Sequence, residues 1–134
     1  MPEINQNFVV VCESAVIDKF TNNLYLLGVF SNINTAGVPA VHPSFAIVTN
    51  FTGGEGEHNH KIIIRHEDGT EIGKLEGKIK FGGNNKNAQY IARFLGFPFP
   101  KYGTYYANIY IDEEEQPLKG KINVIKTTPQ NYVR

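Results

Sequence analysis

GGEGEHNHKIIIRHEDG, residues 53–69, decides the fold. Three glycines lead into a polar segment, then three consecutive isoleucines, then Asp68-Gly69, a pair that favours the tight turn of a β-hairpin. The run 57–67 is β-branched at its centre, as a pleated and partly buried surface favours. Beyond the turn, EIGKLEGKIKF (71–81) sets Lys74, Glu76, Lys78 and Lys80 on one face and Leu75, Ile79 and Phe81 on the other. That period of two is a strand signal, so 53–81 reads as a hairpin.

The same period recurs outward in both directions. FVVVCESAVID (8–18) and LYLLGVFSNI (24–33) flank the asparagine-rich turn KFTNN and pair as a second hairpin. NTAGVPAVHPS (34–44) reads as a loop, because Pro39 and Pro43 cannot donate to a ladder. FAIVTNF (45–51), AQYIARFLGFPFP (88–100), GTYYANIYID (103–112) and LKGKINVIK (118–126) are further strands, separated by the turns GGNNKN (82–87) and EEEQP (113–117). With about eight strands and no helix, the chain is expected to be all-β: a single antiparallel β-sandwich spanning 1–134, immunoglobulin-like or jelly-roll-like.

Composition bounds the function. At 134 residues the chain suits one domain with its own core. Cys12 is its sole cysteine, so no intramolecular disulfide forms, and its valine neighbours mark it as a buried hydrophobe. Thirteen basic and thirteen acidic side chains cancel, which argues against a nucleic-acid partner. No apolar run is long enough to span a membrane, and no leader precedes the first strand, so a cytoplasmic location is expected. The charges are uneven: residues 1–54 hold only Glu3, Glu13, Asp18 and Lys19. Either the early strands lie at the centre of the sheets or another chain covers part of them, and a protein partner or self-association is the expected mode of action.

The histidines are the candidate chemistry. On a strand His58 and His60 share a face with Cα atoms about 6.5 Å apart, close enough for both imidazoles to reach one metal ion. Glu57 or His42 would be a third ligand. His66 shares their parity but lies about 20 Å further along. The two-motif pattern of the cupins is not matched: the spacings around His58 and His60 differ, and no histidine follows His66. The other reading makes both histidines surface residues at the polar rim of a sandwich. No nucleophile, phosphate-loop or dinucleotide motif is present and no cofactor is implied. If Tyr105, Ile109 and Ile111 face the core, Tyr106 and Tyr110 form an outward aromatic strip suited to a protein surface or to stacking on a sugar.

Taken in order, FVVVCE, LYLLGVF, VHPSFAIV, GGEGEHNHKIIIRHEDG and FPFPKYGTYYANIYID resemble a bacterial family of small all-β proteins known only as a domain of unknown function. The resemblance covers about residues 8–125 and rests on Cys12, Glu13, Gly28, Phe30, His42, Pro43, Gly56, Glu57, His58, Gly103 and Tyr105. It implies the fold and a cytoplasmic setting, and no activity. It also raises the expectation of a buried hydrogen-bond network among Glu13, His42 and His58. By analogy with immunoglobulin-like corners, it suggests that Tyr105 ties down a turn. The leading reading is a non-enzymatic binding or scaffold module, with a metal-dependent enzyme or sensor and a glycan-binding sandwich as alternatives.

Overall fold

A computed structural model describes residues 3–82 and 86–127. The strands are β1 (Asn5–Ile17), β2 (Leu24–Val29), β3 (Asn32–Thr35), β4 (Ala40–Thr52), β5 (Gly56–His66), β6 (Glu71–Phe81), β7 (Asn87–Phe99), β8 (Gly103–Ile111), β9 (Glu114–Glu115) and β10 (Gly120–Lys126). They form two packed sheets, ordered β2-β1-β4-β7 and β3-β10-β8-β5-β6, with β9 alongside β8. The all-β sandwich expected from the alternation is therefore what the chain adopts.

The described residues hold ten strands where about eight were expected, and the sheets are not wholly antiparallel, because β3 runs parallel to β10. The strand expected over 24–33 is divided into β2 and β3, and the end of β3 and the start of β4 fall where a loop was expected. Pro43 sits inside β4, but β1 pairs β4 only from Ala46 onward, so the ladder there has β7 on one side alone. Pro98 lies on β7, an edge strand, where a missing donor is tolerated. The 82–87 turn falls partly on 83–85, outside the described residues.

Phe45, Ile47 and Phe51 of β4 meet Ile62 and Ile64 of β5, Ile79 and Phe81 of β6, and Tyr105, Ile109 and Ile111 of β8. Each such side chain contributes roughly 1.5–3 kcal/mol when fully buried. The other face of β4 is buried as well. Cys12, Ala46 and Val48 form a second apolar cluster with Ala15, Leu24 and Leu26.

This second cluster follows from the course of the first hairpin. β1 leaves β4 after Cys12 and continues paired with β2. The Arg93 guanidinium of β7 donates to the Ala15 carbonyl at 2.9 Å. Ile17 and Leu24 share one wall-lined recess with Asn50 and Gln89. The β1–β2 hairpin therefore lies back over the outer face of β4 and β7. Asp18 closes its tip by accepting from the Phe20 and Thr21 amides at 2.7 and 2.9 Å.

Candidate functional site

The rim histidine comes first. His58 Nδ1 lies 2.6 Å from an Asp112 carboxylate oxygen, and its Nε2 lies 2.8 Å from the Glu55 carbonyl. Asp112 and Glu113 have φ of 48° and 69°, the left-handed backbone of a tight hairpin turn between β8 and β9. Asp112 also accepts from the Asn59 amide at 2.9 Å. Hydrogen bonding to Asp112 raises the His58 pKa, and the same bond lowers that of Asp112. The pair fastens the start of β5 to the β8–β9 turn and leaves neither imidazole nitrogen free for a metal.

His60 corrects the reading of a surface pair. It is 1% exposed. Its Nε2 meets the Thr49 hydroxyl at 3.0 Å, and its ring stacks on Tyr90 at 4.4 Å between centroids. Nδ1 has no hydrogen-bond partner. With no charge to compensate, burial alone pulls the His60 pKa down from 6.5 to about 4. Gly77 stands opposite His60 on β6, and a Cβ there would strike the Tyr90 ring. The gap in the apolar pattern of β6 is thus the seat of that ring.

The other proposed ligands do not join them. Glu57 is exposed, 3.4 Å from Lys78. His42 stacks on Phe30 with centroids 5.1 Å apart. It lies seven residues before Thr49 on β4, about 23 Å of strand from the hydroxyl that meets His60. Among the described residues no three His, Cys, Asp or Glu side chains converge into a metal-binding group. The expected buried network of Glu13, His42 and His58 is also absent among them. Glu13 is exposed, the two histidines are half-buried, and each has separate neighbours. Glu13 instead lies over Gly28, which has φ of 68°.

Tyr105 does tie a corner. Its hydroxyl accepts from the Lys101 amide at 2.9 Å and donates to the Lys101 carbonyl at 2.7 Å. Gly103, with φ of 122°, brings the chain past His66 and Glu67 with no room for a side chain.

Tyr106 and Tyr110 lie on the outer face of the larger sheet, opposite buried Tyr105, Ile109 and Ile111. They are half-buried, and cations occupy their faces. Lys119 sits 4.9 Å above the Tyr106 ring and Lys61 4.9 Å above Tyr110. Arg65 donates to the Tyr110 hydroxyl at 2.8 Å and to Asn108 at 3.2 Å. A sugar would have to displace these cations to stack.

The most open apolar surface lies elsewhere. On the outward side of the β1–β2 hairpin, Val16 pairs with Tyr25 and Leu27 follows on the same face, with Val29 beyond the left-handed Gly28. They are 45, 48, 53 and 64% exposed, and Phe20 at the tip is 95% exposed. No Asp, Glu, Lys or Arg occurs from Phe20 to Gly54. Reading the residues alone singled out Tyr106 and Tyr110 and missed this stripe. The signal was present as the charge-poor first half and the alternation through YLLGV.

A two-sheet sandwich with a hairpin laid over one face, carrying the Cys-Glu, Gly-x-Phe and Gly-x-Tyr positions at these contacts, is the frame in which the comparison with known families falls. The chain belongs to DUF6941, a family of unknown function, whose model matches residues 7–125. No curated protein matches it. No helix among the described residues is long and apolar enough to cross a membrane.

Proposed function

We propose that the chain is a non-enzymatic binding module whose recognition surface is the outward face and free edge of the β1–β2 hairpin. The observation that carries this reading is the exposed apolar set Val16, Tyr25, Leu27 and Val29, on a hairpin whose second strand, β2, has no charged side chain. Soluble chains seldom leave contiguous apolar surface open unless it meets another molecule. The lone cysteine can form no intramolecular disulfide, which suits a reducing compartment and supports a cytoplasmic setting. The histidines are engaged in holding strands together, which favours this reading over a metal-dependent enzyme.

The test is binding of a hydrophobic fluorescent dye to the folded chain, compared with the Tyr25→Lys/Leu27→Lys variant. The wild type is expected to enhance dye fluorescence and the variant to lose most of that signal, with little change in thermal midpoint because neither side chain packs in the core. Equal fluorescence from both folded proteins would remove the reading.

A further inference from the structure

We infer that the partner at this edge is a second copy of the same chain, pairing β2 against β2 in antiparallel fashion about a twofold axis. The inference rests on the hairpin being the recognition surface, and it adds the occupant. Among the described residues the two sheets end in β2, β7, β3 and β6, and the last three are protected. β6 carries Glu71, Lys74, Glu76, Lys78 and Lys80, charges that oppose edge pairing. β7 carries Pro98, and Gly96 in the left-handed region with φ of 59°. β3 is only four residues long. β2 has neither proline nor charge, and its pairing with β1 is regular from Leu24 to Leu27. Gly28, with its positive φ, marks where the straight edge ends.

The absence of charge bears on which partner fits. A twofold contact sets a surface against itself, so any net charge in it meets its own sign. Like charges directly opposite across a strand pair are destabilising, whereas aromatic and aliphatic pairs are stabilising. With the axis beside Leu26, Tyr25 of each copy faces Leu27 of the other, on the same side as Val16. The outward stripes of the two hairpins then run side by side as one surface. Asp18 and Lys19 at the tip are of opposite sign and lie beyond the paired residues, and the Glu13 carboxylates, each over its own Gly28, stand at opposite ends of the contact rather than facing one another.

The experiment is sedimentation equilibrium on three chains: wild type, Tyr25→Lys/Leu27→Lys and Tyr25→Glu/Leu27→Glu. The wild type is expected at twice the monomer mass. Each charged chain alone is expected as a folded monomer, and an equimolar mixture of the two should recover the dimer, because Lys then faces Glu. Recovery in the mixture also excludes misfolding as the cause of the loss. A wild type that stays monomeric at all concentrations overturns the second copy. A dimer that survives in both charged chains also overturns it, placing the contact on another face. A monomer that still binds the dye through Tyr25 and Leu27 overturns only the second copy, whereas a monomer whose dye signal ignores both substitutions removes the hairpin reading too.

Discussion

Acid should destabilise this protein through His60 before it does so through any carboxylate. In the folded chain the imidazole is neutral, packed between Thr49, Tyr90 and Phe51, with its pKa drawn down to about 4 by burial. Once unfolded, it takes up a proton near 6.5. Between these values the unfolded state binds more protons, so stability rises with pH across the window and is lost as pH falls. At about 1.4 kcal/mol per tenfold in proton affinity, the gap corresponds to about 3 kcal/mol. That is a large part of the 5–15 kcal/mol typical of a domain. The assay is urea denaturation at half-unit steps from pH 4.5 to 6.5, on the wild type and on His60→Gln, which cannot titrate. The wild type should lose most of that energy towards the acid end, and the variant should have a much flatter profile. Parallel profiles, or a His60 proton resonance titrating near 6.5 in the native protein, would refute the reasoning.

The remaining predictions concern single contacts. His58 should titrate above 6.5 by NMR and return towards it in Asp112→Asn. Because its folded pKa is raised, its contribution to stability is full below about 6.5 and is lost as pH rises through the folded value, the opposite side from His60. Tyr105→Phe removes two hydrogen bonds to Lys101 and should cost about 1–2 kcal/mol in denaturant unfolding. Gly77→Ala forces a methyl group into the Tyr90 ring and should cost about 1–3 kcal/mol, with loss of the ring-current shift that Tyr90 imposes on His60.

How much of this was legible in the residues can be seen strand by strand. Alternation in 71–81 and 103–112 located β6 and β8 and sorted their faces, because one face of each is buried. β4 was recognised as a strand, but its second buried face was not explained. What covers Ala46 and Val48 is a hairpin distant along the chain, and local periodicity carries no information about it. β3 was not separated from β2, because Asn32 and Ile33 read as the end of one strand over 24–33 and the remaining two residues are too few to show a period. Prolines suggested a loop for 34–44, although Pro43 needs only a missing neighbour on one side to be accommodated in a strand. His60 looked like the polar end of a strand. Its burial depends on Gly77 across β6 and Tyr90 across the core, two residues whose meeting only the sheet register creates. His58 was placed at the rim, while its partner Asp112 was read as the last residue of a strand. The exposed stripe was visible as an alternation, but the outer face of a hairpin looks the same as an inner one until the hairpin is placed.

The central claim is that the β2 edge is a contact surface, and amide hydrogen exchange read as a function of protein concentration tests it most directly. Amides within Leu24–Leu27 are expected to become more protected as concentration rises, while those along the β6 and β7 edges keep constant rates. Exchange in β2 that is fast and indifferent to concentration, or protection that builds at another edge, would contradict it.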